Sequence, residues 1–205
     1  MLTISEAVER ADALAASGQR TLLGIAGPPG AGKSTLALAI AERLGDRVCV
    51  VPMDGFHLAQ RELERLGRAD RKGAPDTFDA AGYVAMLRRL RDPGEGVVYA
   101  PEFRRELEEP IAGAVAVDPQ VAVIVTEGNY LLLEDSPWSE VRHLLHETWF
   151  VLTPDELRVQ RLISRHIAFG RSPEAARLWA LQTDQPNAEL VCTTRSRADA
   201  VVLVD

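Results

Sequence analysis

An α/β fold, a five-stranded parallel sheet flanked by helices, is what this sequence predicts, and three observations predict it. Short apolar runs alternate with helical stretches along the chain, the pattern of a parallel sheet covered by helices. Residues 27–34 read Gly-Pro-Pro-Gly-Ala-Gly-Lys-Ser, a G-x-x-x-x-G-K-S loop wedged between an apolar run and a helical pattern. Asp54 and Glu127 each stand at the end of a further apolar run, where a parallel sheet presents its ligand-binding edge. Together these specify a P-loop NTPase fold in a single domain over 1–205, with a small β-ribbon at about 97–119 and an arginine-bearing lid at about 161–175.

The elements follow in order. Residues 1–17 carry Glu6, Glu9 and Asp12 opposite Ala7, Val8, Ala11 and Leu14, an amphipathic helix rather than a secretion signal. Strands are predicted at 22–26, 48–52, 121–127, 148–152 and 200–204. Helices are predicted at 33–44, 80–91, 136–146, 154–168 and 173–182, with a short one at 58–66. In 97–119, two β-prone runs enclose Glu102, Arg104, Arg105, Glu106, Glu108 and Glu109, which reads as a hairpin standing off the main sheet and walling an acceptor pocket.

Composition narrows the class. The formal net charge is −7, which argues against a nucleic-acid-binding protein, since such proteins gain affinity from excess basic residues. No apolar run reaches the length of a membrane span. The two cysteines, Cys49 and Cys192, lack metal-site spacing and read as reduced core residues of a cytoplasmic protein. There are only two lysines, Lys33 and Lys72, against 21 arginines. Lysine is kept in the loop because a compact ammonium fits inside a ring of amides and a planar guanidinium does not.

The loop dictates the chemistry. Gly27, Pro28, Pro29, Gly30, Ala31, Gly32, Lys33, Ser34 and Thr35 form the expected nucleotide cradle. Backbone N–H groups and the helix N-terminus attract phosphate oxygens, Lys33 reaches the terminal phosphates, and the Ser34 hydroxyl joins a Mg²⁺ shell. Glu127 is the expected second metal-side group, and Asp54 the expected base toward an attacking hydroxyl. Arg161 and Arg165, four apart on one helix face, with Arg171 beyond Gly170, fit a lid that neutralises a transferring phosphoryl group, so Arg165 joins Lys33, Asp54 and Glu127 in the expected catalytic set. Asn187, Arg195 and Arg197 are expected near the nucleotide base. For the acceptor pocket the expected residues are Asp54, His57, Arg71, Lys72, Tyr99 and Arg104; an acidic acceptor would use Arg71 and Lys72, a neutral one Asp54, Tyr99 and His57.

Several segments together resemble the phosphoribulokinase, uridine kinase and type I pantothenate kinase superfamily. Gly27 to Ser34 matches its Walker A element. Met53-Asp54-Gly55-Phe56 is similar to the Asp-Gly-Phe segment of pantothenate kinases, whose aspartate is the proposed base. Residues 71–79 resemble their Lys-Gly-x-Pro-x-x-Tyr-Asp stretch, Val98-Tyr99 a pair that opens the acceptor-side ribbon, and Glu127-Gly128 the segment after the Walker B strand. The chain departs from uridine kinases at Arg165-His166, where they carry Arg-Asp, and at Asp54-Gly55-Phe56-His57, where they carry Asp-Ser-Phe-Tyr. It most resembles a compact bacterial branch of nucleoside- or fructose-kinase-like proteins. The resemblance implies ATP and Mg²⁺ as cofactors and transfer to a small-molecule hydroxyl: a nucleoside such as uridine, a sugar such as fructose, or alternatively pantothenate or glycerate. A homodimer is a possible assembly, dimers being the commonest outcome for such enzymes. The rival from another class is a nucleotide-binding protein without catalysis. A guanine-nucleotide switch is disfavoured, because neither lysine follows an asparagine as an Asn-Lys-x-Asp motif requires.

Overall fold

The computed structural model describes residues 1–92 and 94–204. In chain order the main elements are α1 (Ile4–Ala16), β1 (Thr21–Ala26), α2 (Lys33–Leu44), β2 (Val48–Pro52), α3 (Gln60–Arg65), α4 (Ala80–Arg91), β3 (Val98–Arg104), β4 (Glu109–Val117) and β5 (Val123–Gly128). They continue with α5 (Ser139–Leu144), β6 (Glu147–Leu152), α6 (Asp155–Ala168), α7 (Pro173–Trp179), α8 (Gln185–Cys192) and β7 (Ala200–Leu203). The main sheet runs β2-β5-β1-β6-β7, and all its strands are parallel. The ribbon β3-β4 is a separate antiparallel pair.

The central strands β1 and β5 are buried at every residue, because helices cover both faces. Strand periodicity divides their side chains between two cores. Leu23, Ile25, Val123 and Val125 meet Ala7, Ala11, Leu36 and Ile40 of α1 and α2. Leu22 and Ile124 face the opposite core, with Tyr83, Leu87 and Leu90 of α4 and Val141 of α5. A capping box between Thr3 and Glu6 starts α1 where the sequence placed its first helix.

Two helical expectations change. The helix expected over 136–146 is confined to Ser139–Leu144, after Pro137. The segment from 184 to 192, beyond the last helix expected, is helical too: α7 passes through a π-helical turn, Ala180–Asp184, into α8. Asp-Gln-Pro-Asn carries turn chemistry in isolation. The wide turn comes just before Pro186, whose missing N–H and ring a regular helix interior would not accept. Cys192, expected in the core, is exposed at the end of α8, whereas Cys49 is half-buried against a core cluster. No helix among the described residues is long and apolar enough to cross a membrane.

Candidate active site

The carboxyl ends of β1, β2 and β5 open on one cleft of about 1000 Å³. The loop after β1 leads directly into α2. Gly32 caps that helix in a left-handed conformation, φ 93°, and a Cβ there would lie 2.7 Å from Val204 Cγ1. Gly30, at φ 79°, packs so closely on α6 that a Cβ would sit 2.8 Å from the Arg158 carbonyl oxygen. Both positions need glycine, and the tight turn leaves backbone N–H groups gathered at the start of α2.

Lys33 is buried, and its ammonium donates to the carbonyls of Gly27 (3.0 Å) and Pro28 (3.1 Å) and to Asn129 Oδ1 (2.8 Å). Burial pushes its pKa down, against the fields of Glu127 and Asp54. Ser34 Oγ donates to Glu127 Oε1 at 2.9 Å. Burial raises the Glu127 carboxyl above the ordinary range, and Asp54 adds to the rise.

That pair bears on the metal. Among the described residues no cluster of three His, Cys, Asp or Glu side chains could hold an ion unaided. A hydroxyl and a carboxylate in contact at the mouth of a phosphate loop are hard oxygen donors, and Mg²⁺ commonly takes one or two such protein ligands and completes its shell with phosphate and water. The residues therefore fit Mg²⁺ held by Ser34 and Glu127 with nucleotide phosphates.

Asp54 lies on the 3₁₀ turn Met53–Phe56 that ends β2. Its side chain is 31% exposed, and Arg105 Nη2 lies 3.4 Å from Oδ2. Burial alone would raise the Asp54 carboxyl, but His57, Arg105, Lys33 and Arg165 outweigh it and hold the pKa below its ordinary value. His57 Nδ1 meets the Asp54 carbonyl oxygen at 2.7 Å. Its ring packs against Phe78 (4.0 Å between centroids) and Phe103 (4.6 Å). Burial pulls the His57 pKa down, so it is neutral at pH 7.

Helix α6 brings Arg161 and Arg165 over the same cleft, and Asn187 of α8 lines it too. Arg171 lies across the Trp179 ring at 4.0 Å, and His166 Nε2 meets Asp184 Oδ2 at 2.7 Å, joining α6 to the π-helical turn.

Outside the loop, five expected residues do not line the cleft. Arg71 pairs with Asp76 at 2.8 Å and does not line the cleft. Tyr99 is 62% exposed on the ribbon. Arg104 pairs with Glu102 at 2.7 Å, also outside the cleft. Arg195 is exposed, and Arg197 donates to the Leu132 carbonyl at 2.6 Å; neither lines the cleft. In their place stand residues that sequence reasoning passed over: Arg105 from the ribbon tip, Asn129 against Lys33, and Phe103. Only Asn129 left a signal, two residues after Glu127 in the same post-strand segment. The choice of Arg105 over Arg104 depends on the hairpin register, which pairs Arg104 with Glu109 and leaves Arg105 to open the turn.

The comparisons with known proteins agree with this architecture. The model of the Phosphoribulokinase / Uridine kinase family matches residues 22–204. The chain belongs to that family. It is 34% identical over 174 residues to a candidate uridine kinase of Schizosaccharomyces pombe, covering 80% of this chain and 74% of that protein. It is 36% identical over 152 residues to the ATP-dependent kinase-like protein notR′ of Aspergillus versicolor, covering 70% and 88%. The crystal structure of a candidate fructose transport system kinase from Silicibacter sp. TM1040 superposes with a TM-score of 0.85 at 33% identity, covering 95% of this chain and 98% of that one. In this member of the kinase family the loop, both carboxylates and the arginine-bearing helix share one opening.

Proposed function

We propose that this protein is an ATP-dependent kinase that transfers the γ-phosphoryl group to a hydroxyl of a small molecule, in the cytoplasm. The observation that carries the reading is the convergence of Lys33, Ser34, Glu127 and Asp54 on one cleft, with Arg161 and Arg165 facing them from α6. A candidate uridine kinase and a candidate fructose transport system kinase among its relatives support a nucleoside or sugar acceptor.

The chain's own groups perform recognisable tasks. Lys33 is held by loop carbonyls and Asn129, which sets its ammonium at the phosphate loop. Ser34 and Glu127 would hold Mg²⁺, which would supply neutralisation of phosphate charge. The acceptor oxygen bonds to γ-phosphorus as the bond to the β-phosphate oxygen breaks, and ADP leaves. The acceptor proton passes to Asp54. Because its pKa is depressed, this carboxylate is ionised at neutral pH and a weak proton acceptor. It therefore orients the hydroxyl early and takes the proton late, once bonding to phosphorus has made the oxygen acidic. Arg161 and Arg165 meet the charge on the phosphoryl oxygens and exclude water.

Asp54→Asn tests the assignment through acceptor-dependent ADP release. Turnover falls by roughly 10²–10⁴-fold, the usual range for losing a positioned base, with nucleotide affinity nearly kept. Unchanged turnover would remove Asp54 from the mechanism. ADP release that no acceptor stimulates would favour an idle nucleotide-binding protein.

A further inference from the structure

The Lys33 ammonium carries three N–H donors, and the protein takes all three. Two go to the carbonyls of Gly27 and Pro28 at 3.0 and 3.1 Å, and the third to Asn129 Oδ1 at 2.8 Å. A phosphate oxygen bound at Lys33 must therefore replace one of these acceptors. The two carbonyls belong to the backbone of the loop itself. Asn129 is a side chain, half-buried on the bend after β5 and lining the cleft, and it can leave by turning about its own torsions. Its Oδ1 thus holds the place on Lys33 that a phosphate oxygen would claim.

The other end of Asn129 gives that exchange a consequence. Because Lys33 requires the oxygen of the amide, the Nδ2 end is left to donate. It meets the hydroxyl of Tyr130: burial and the Asp54 charge push that hydroxyl's pKa up, and the hydrogen bond to the Asn129 side chain works against the rise. Tyr130 is fully buried, with its ring edge-on to Phe78 at 5.6 Å, and its Oη donates to the Gly73 carbonyl. Gly73 opens the acceptor-side segment 73–79, where its N–H donates to Thr77 Oγ1 at 3.0 Å. Leu58 N donates to the Thr77 carbonyl at 2.9 Å, and Asp79 N to the Phe56 carbonyl at 2.8 Å. These two bonds clasp the turn that carries Asp54. A continuous set of hydrogen bonds therefore runs from the loop lysine to the segment beside Asp54, through two consecutive residues after β5.

We propose that Asn129 is a displaceable partner of Lys33, and that its departure when a phosphate oxygen takes its place slackens residues 73–79 through Tyr130 and Gly73. Asn129 and Tyr130 are then positioning residues, acting on the nucleotide through Lys33 and on the acceptor side through Gly73. The inference rests on the kinase reading, which puts a nucleotide at the loop, and adds a link between the two ends of the cleft. The bonds set the size of the effects. Removing Asn129 spares the nucleotide the displacement of one hydrogen bond. Losing the amide donor weakens the Tyr130 bond to Gly73 without breaking it, since neighbouring bonds in a chain strengthen one another modestly.

Two measurements test this. The first is calorimetric titration with AMP-PNP and Mg²⁺. Asn129→Ala is expected to bind about three- to tenfold more tightly than wild type, the worth of one hydrogen bond. A residue that contacted phosphate, or merely supported the fold, would weaken binding when removed. Unchanged or weaker binding overturns the proposal. The second is hydrogen–deuterium exchange, read by mass spectrometry over residues 73–79 with and without AMP-PNP and Mg²⁺. In wild type the nucleotide is expected to speed exchange there at least about twofold. That change is expected to vanish in Asn129→Ala and in Tyr130→Phe, which keeps the buried ring and removes only the hydroxyl. It is expected to persist in Arg68→Gln, which loosens the same segment from outside by removing a bond to the Asp76 carbonyl at 2.7 Å. Exchange that nucleotide slows or leaves unchanged in wild type overturns the proposal, as does a speeding that survives in Asn129→Ala or Tyr130→Phe; both leave the kinase reading standing. Wild-type protein that does not bind AMP-PNP strikes the kinase reading itself, and this inference with it.

Discussion

Gly55→Ala is a one-carbon change that separates the placement of the ribbon from the chemistry beside it. Gly55 is buried between Asp54 and Phe56, and the ribbon backbone crosses directly above it. A Cβ built there would lie 2.6 Å from the Pro101 carbonyl carbon and 3.1 Å from Glu102 N, with the Pro101 oxygen nearer still. Non-bonded carbons rest at about 3.5–4.0 Å, so the ribbon must retreat by roughly 1 Å. The obstacle is backbone in a paired strand, not the end of a flexible side chain, so the strain cannot be relieved by a rotamer change. Overpacking of this kind costs about 1–3 kcal/mol, and for a chain of this size about 2 kcal/mol lowers Tm by roughly 4–8 °C. The same retreat carries Arg105 and Phe103 away from Asp54, and misplacement by about 1 Å can cost on the order of 10²-fold in rate. The assay is a thermal melt beside acceptor-dependent ADP release, with Gly96→Ala as control because a Cβ there meets nothing within 4 Å. Wild-type melting and wild-type KM for the acceptor in Gly55→Ala would refute the claim that this contact sets the acceptor wall.

Other expectations follow from the same geometry. Lys33→Ala should lower kcat by roughly 10²–10³-fold, as loss of a preorganised charge does, while far-ultraviolet circular dichroism stays that of the folded protein. Arg158, fully buried, donates to the Pro29 carbonyl at 3.3 Å and to Asp155 at 3.0 Å and also bonds Gln185, tying the phosphate loop to α6 and α8. Arg158→Leu leaves those acceptors unpaired, so it should cost about 1–3 kcal/mol in urea denaturation and raise the nucleotide Kd; an unchanged midpoint would show that the tie is idle. Burial holds the pKa of His57 below 6.5, so the unfolded chain binds a proton that the folded chain refuses. Stability from this source is present above about pH 6.5 and lost as pH falls below it, so Tm should decline from pH 7 toward 5, less steeply in His57→Gln. The depressed Asp54 carboxyl has the same sign in a lower window: its contribution is present above 3.8 and disappears as pH falls further.

The sequence by itself determined the parallel sheet, its five strands, the loop that opens α2, and the two carboxylates at strand ends. Each is written in contiguous residues: apolar runs, a glycine pattern, an acid just past a strand. Where Asp54 and Glu127 point follows from parallel topology alone, since all such strands deliver their carboxyl ends to one edge. What only the tertiary structure decided lies where segments distant in sequence meet. Arg105 and not Arg104 reaches Asp54, because the hairpin register and the anchors through Lys72 and Glu109 aim the tip. Arg71, legible as an acceptor contact, is captured by Asp76, and Tyr99 is exposed on its ribbon and does not line the cleft. The 184–192 stretch looks like loop by local chemistry, yet stays helical because tertiary ties through Gln185 and Asp184 hold it against α6. Local sequence encodes which groups are available and which backbone they ride on; their pairing is settled by strand register and by competition among neighbouring charges, quantities that exist only once the chain has closed on itself.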